Sequence, residues 1–134
     1  MIVLAEKKDL APIVQYQETD SFACRILCIA NMYGNYPFAD FWIQKQEETG
    51  YPTAYLSKMD GVITLFAHEN ADFGELYMFI KMIGASCMIC HASCAEQLHI
   101  TAAFAPVPAS SNRAPIMLNV FRFMVYSLYS FLNS

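Results

Sequence analysis

Three β-type runs joined by tight-turn chemistry occupy the middle of the chain, and they fix the fold class. Asp40 to Gln46 alternates, with Phe41 and Ile43 on one face and Trp42 and Gln44 on the other, the pattern of a half-buried strand. Glu47-Glu48-Thr49-Gly50-Tyr51-Pro52 reads as a turn, because Gly50 can take positive φ and Pro52 cannot donate to a central ladder. Thr53 to Met59 is a second strand, with Ala54, Leu56 and Lys58 marking one face. Asp60-Gly61 suits a type I′ hairpin, which needs positive φ at both central positions, and Val62 to Ala67 returns as a third strand. An antiparallel meander is the expectation.

Helical signals flank it. Ile2 to Ala5 reads as a strand and Lys8 to Gln17 as a helix, with Pro12 shortening what can precede it. Thr19-Asp20-Ser21 supplies N-cap chemistry for a second helix, whose apolar positions Phe22, Ile26, Ile29, Ala30 and Tyr33 recur at helical spacing. Asn70-Ala71-Asp72 caps a third, with Leu76, Phe79, Ile80 and Ile83 on its apolar face and Gly84 at its end. Ala85 to His91 reads as a further strand, and residues 92–104 fit no single pattern. The order β-α-α-β-β-β-α-β implies an α/β (α+β) fold, a mixed sheet with a central antiparallel meander and helices on its faces. The expected organisation is an N-terminal domain at 1–104, a linker at 105–114 and an apolar C-terminal helix at 115–134.

Composition narrows the function. Of the 134 residues 56% are apolar and only 15% charged, so the sheet must be covered by helices or meet another chain. A formal charge of −4, with the eight Lys and Arg scattered, argues against nucleic-acid binding. Ile2-Val3-Leu4 is too short for a secretion signal, so a cytoplasmic location is expected, with the five cysteines as free thiols. The 17-residue run Ile116 to Leu132 would span about 25 Å as a helix, short of a ~30 Å hydrocarbon core. Arg122 near its middle would cost ~2.5–3.5 kcal/mol in lipid. A buried or partner-facing helix, pairing with a second copy or another chain, is expected there ahead of a membrane anchor.

The cysteine motifs have two readings each. Cys87-Met88-Ile89-Cys90-His91 matches the spacing of c-type haem attachment, and Cys94 extends it to a cluster with zinc-like spacing. The alternative is a buried strand using cysteine as a small hydrophobe, since Cys87 and Cys90 would point to opposite faces of a strand. Cys24 and Cys28, at i and i+4, share one helical face, and core packing is the expectation for them. No nucleophile–base set can be assigned; His68 and His99 have no evident partners in the sequence, and Glu47-Glu48 reads as a solvated turn.

Asp20-x-Phe22-x-Cys24-Arg25-Ile26, Tyr33-Gly34, Asp40-Phe41-Trp42-Ile43-Gln44, Asp60-Gly61 and Glu75-Leu76-x-x-Phe79-Ile80 together resemble the N-terminal half of bacterial GNAT-type N-acetyltransferases. The resemblance covers about residues 1–100. It implies a GNAT-like fold, acyl transfer from acetyl-CoA as the family chemistry, and a small-molecule acceptor near Arg25, Trp42 and Gln44. The family holds the cofactor pyrophosphate on a Gln/Arg-x-x-Gly-x-Gly/Ala turn at a helix N-terminus, where N–H groups and the helix dipole meet the anion. This chain has no such turn; its nearest helix start, Asp72-Phe73-Gly74-Glu75, is acidic. The implied protein is therefore a partial or degenerate member supplying the acceptor side, with no family catalytic residue carried over. The alternative is a non-catalytic interaction module using residues 116–132.

Overall fold

The computed structural model describes residues 1–104. They form one five-stranded mixed sheet with helices on both faces. The strands are β1 (Ile2–Leu4), β2 (Ala39–Lys45), β3 (Pro52–Met59), β4 (Val62–Ala67) and β5 (Cys87–Ile89), lying in that order across the sheet. The helices are α1 (Ser21–Tyr33), α2 (Phe73–Ile83) and α3 (Ala92–Phe104), with a 3-10 helix at Lys7–Tyr16. Strands β1 to β4 pair antiparallel, and β5 joins β4 in parallel. The linker and the apolar helix expected at 105–134 lie outside the described residues.

The meander forms because its turns suit it. Asp60 has φ 53° and Gly61 φ 76°, the two positive values a type I′ turn requires. Gly50 in the preceding turn has φ 70°. Alternation then sorts the side chains. Phe41, Ile43, Tyr55 and Phe66 pack with Leu10 and Ile13 of the 3-10 helix and Ile26 and Ala30 of α1. Ala54, Leu56, Ile63 and Leu65 pack on the other face with Leu76 of α2, Met88 of β5 and Leu98 of α3. The central strand β3 is thus covered on both faces, as a 56% apolar chain of this length demands.

Two elements differ from expectation, at 7–16 and 85–91, and a third, at 92–104, is left open by the sequence. Residues 7–16 form a 3-10 rather than an α-helix. Pro12 sits at its centre, where it removes one N–H and its ring crowds the preceding turn, so an α-helical ladder cannot run through. Residues 92–104 are helical. Among the side chains described there, those buried are Cys94, Ala95 and Leu98, too few and too small to show a helical period in the sequence. The strand expected at Ala85 to His91 is confined to Cys87–Ile89.

Helix ends are satisfied as the sequence anticipates. Asp20 accepts from the N–H groups of Phe22 and Ala23, at 2.9 and 3.0 Å. Asp72 accepts from Glu75 N–H at 3.0 Å. At the far end of α2, Lys58 Nζ crosses from β3 to donate to the Ile83 carbonyl at 2.9 Å, a last-turn acceptor that would otherwise lack a partner.

Gly61 is the tightest point of the meander. A Cβ there would lie 2.9 Å from Ser86 Oγ, whereas at Gly50 it would meet nothing within 4 Å. Gly61→Ala is expected to cost more than Gly50→Ala, about 2 kcal/mol against about 1 kcal/mol. Urea unfolding of the two variants measures this; equal losses would mean that Ser86 moves aside freely.

Candidate functional site

The carboxyl ends of β2, β4 and β5 and the starts of α1, α2 and α3 gather at one end of the sheet. Parallel strands leave ligand-sized openings at such an end. β4 and β5 are in register at Val62–Cys87, Ile63–Met88 and Thr64–Ile89. β4 runs on to Ala67 while β5 stops at Ile89, so the two part there.

Gln44 holds the start of α2 onto the sheet. The side chain is 1% exposed. Its amide nitrogen donates to the Asp72 carbonyl and to Glu75 Oε1, both at 2.9 Å. Its amide oxygen accepts from Asp72 N–H at 3.0 Å and from Thr53 Oγ1 at 2.7 Å. Both donors and both lone pairs of the amide are used within the chain. The α2 N-terminus is consequently closed: Asp72 caps it, Gln44 grips the capping residue from both sides, and Glu75 stands in the first turn.

Beside this clamp lies a hollow of about 430 Å³. Glu47 and Glu48 border it from the β2–β3 turn, and Asp72 and Glu75 from the start of α2. Facing these four carboxylates are Lys45 and the Met1 α-amino group, the latter 3.0 Å from Glu75 Oε1. The surplus is negative, so the hollow favours a cation and disfavours a phosphate.

A second cluster joins two helix starts. Asp20 caps α1 with Oδ1 and meets His91 Nε2 with Oδ2, 2.5 Å away. His91 in turn begins α3, its carbonyl accepting from Ala95 N–H at 3.0 Å, and its ring lies edge-on to Phe22. One carboxylate thereby faces the positive ends of two helices and an imidazole. Cys94 sits close by, where β4 and β5 have separated. Burial pushes its thiol up, with hydrogen bonds from Ala67 N–H and Ser93 partly offsetting. Burial raises Cys90 strongly as well, with the neighbouring Cys94 adding to it. Both sulfurs are therefore held as thiols, and a thiol is a poor nucleophile and a poor ligand.

The candidate residues named from the sequence are not brought together. Arg25 lies on the α1 face, where its Nε donates to Thr64 Oγ1 at 3.0 Å. Trp42 and Gln44 lie on the opposite face, Trp42 with its ring edge against Phe79 of α2. Of the Cys87, Cys90, His91 and Cys94 cluster, Cys90 and Cys94 enter the core under α2 and α3, His91 turns to Asp20, and alternation sends Cys87 to the other face from Met88. Among the described residues no group of three or more His, Cys, Asp or Glu could hold a metal ion. Cys24 and Cys28, expected in the core, are half-buried and exposed respectively. The buried stripe of α1 runs through Phe22, Ala23, Ile26, Leu27, Ile29 and Ala30, and the two cysteines fall on its other side. His68 lies against the Tyr16 and Phe66 rings, which also touch each other. Sequence reading missed the contacts of Gln44 with Asp72 and of Asp20 with His91; only the N-cap character of Asp20 and Asp72 was visible.

Gln44→Leu should leave the Asp72 N–H, the Asp72 carbonyl and Thr53 without their partner. The expected cost is about 2–4 kcal/mol, with faster hydrogen exchange at Leu76 and Tyr77. Unchanged exchange there would show that α2 is seated by its apolar face alone.

None of the protein-family models, curated proteins or solved structures compared with the chain matches it. Among the described residues no helix is long and apolar enough to cross a membrane.

Proposed function

We propose that this chain is a GNAT-related protein that supplies the acceptor side of an acyl-transfer site, binding a small amine and leaving the acetyl-CoA phosphates to another element. The observation that carries the reading is the β4–β5 pair. A parallel pair follows the antiparallel meander, parts after Thr64 and Ile89, and has helix starts gathered at its open end. That is where an extended acyl carrier would enter, beyond the end of the β4–β5 pairing. The phosphate end of such a carrier has no seat at α2. The Glu75 N–H at that helix start is already taken by the Asp72 carboxylate, and the Glu75 side chain adds a repelling charge. The acidic hollow, by contrast, suits an amine, the chemical class an N-acetyltransferase acylates.

Calorimetric titration of the full chain with spermidine, and separately with acetyl-CoA, tests this. Salt-sensitive spermidine binding is expected, weakened about two- to fivefold by Glu47→Gln or Glu48→Gln, which are exposed and carry no fold contact. Acetyl-CoA alone should not bind. Micromolar acetyl-CoA binding with no spermidine binding would reverse the assignment.

A second reading, an interaction module, is favoured by exposed apolar groups. Leu4 on the edge strand β1 is 72% exposed, and Met78 and Met82 on the outer side of α2 are 60% and 73% exposed. The 116–132 run proposed for such pairing lies outside the described residues. Sedimentation over a hundredfold concentration range measures it. A strictly monomeric chain would remove pairing between copies, and Met82→Glu should dissociate any dimer formed through α2.

A further inference from the structure

We propose that Cys24, Cys28 and Met32 form a binding site for copper(I) on the outer face of α1. The site is independent of the acyl-transfer reading, since it uses the side of α1 turned away from the sheet.

Three sulfur-bearing residues recur at i, i+4 and i+8, so successive turns of one helix present them in a row. The row lies on the side away from the buried stripe. Cys28 is exposed, Cys24 is half-buried, and Met32 is 64% exposed. Packing gives no reason for this placement, because free cysteine is ordinarily among the most buried residue types.

The two thiols are already at chelating distance. Cys24 Sγ and Cys28 Sγ stand 4.0 Å apart. Two metal–sulfur bonds of about 2.3 Å span about 3.8 Å at a tetrahedral angle, about 4.0 Å at a trigonal angle and about 4.6 Å in a linear arrangement. The observed separation fits a three-coordinate centre without movement of the helix. Thiolate and thioether ligands select copper(I), and Met32, one turn beyond Cys28, is the remaining sulfur on that face. Binding displaces one proton from each cysteine and changes no oxidation state: one Cu⁺ and two thiols give a bis-thiolate complex and two H⁺, with the Met32 sulfur donating a lone pair. Because binding releases those two protons, uptake should strengthen as pH rises.

The test is anaerobic competition between the reduced full chain and the chromophoric copper(I) chelator bicinchoninate. One equivalent of copper should be withdrawn. Cys24→Ser and Cys28→Ser should each lower the affinity about a hundredfold and Met32→Leu about tenfold, while Cys87→Ser should leave it unchanged. Cys28→Ser and Met32→Leu alter exposed side chains, so unchanged far-ultraviolet dichroism is expected and folding does not confuse the result. A Cys24→Ser/Cys28→Ser chain that withdraws copper as the parent does would overturn the site. Uptake of half an equivalent, with a dimer, would overturn the single-chain arrangement. Unaltered affinity in Met32→Leu would overturn the three-sulfur assignment.

Discussion

A single buried amide ties the start of α2 to the sheet. Gln44 projects from β2 toward α2 and takes both backbone groups of Asp72, the residue that starts that helix. A buried carboxamide with a missing partner would cost more than the bond it makes, so the four contacts of Gln44 are either all present or the arrangement fails. With them present, the chain leaving β4 is brought across the face of the sheet and α2 is laid down over Leu56 and Leu65. The direction of α2 in turn sets the return of β5 alongside β4, the only parallel pairing among the described strands. The start of α2, beside the opening at the carboxyl end of the sheet, is thus tied to β2 by one side chain's hydrogen bonds.

The same residue has a chemical consequence. The start of a helix is a natural anion seat, and here it is filled from within by Asp72, Glu75 and Gln44. What remains beside it is a polar hollow with surplus negative charge. Asp20 repeats the theme on the other side of the sheet, its two oxygens divided between the start of α1 and His91 at the start of α3. At both places an acidic N-cap does more than end a helix, since it also ties that helix to a distant element.

Much of the architecture was legible because local chemistry and tertiary context agree in the meander. The alternation at Phe41, Trp42, Ile43 and Gln44 and the Asp60-Gly61 turn left little freedom for that region. The helix at 92–104 was not legible, because Cys94, Ala95 and a single Leu98 at its contact positions carry almost no periodic signal. The site was legible only in fragments. The resemblance groups Arg25, Trp42 and Gln44, yet Arg25 reaches Thr64 on one face while the other two pack on the opposite face. Periodicity sorts residues onto faces within one element but does not say which faces of different elements meet. Cys24 and Cys28 show the same gap: their spacing puts them on one side of a helix without saying whether that side is turned inward.

The pairing of β5 with β4 also bears on how the molecule assembles. The two hairpins of the meander close over a few residues each, so their loop-entropy cost is small and they can form early. β5 must wait for the whole of α2 to be laid down before Cys87 can find Val62. Its contribution to the sheet is three residues on an edge, and the edge is the place where a fold opens most easily. β5 is thus a short edge strand completed only after a crossover, and its local opening would uncover Cys90 and Cys94 while the meander stays intact.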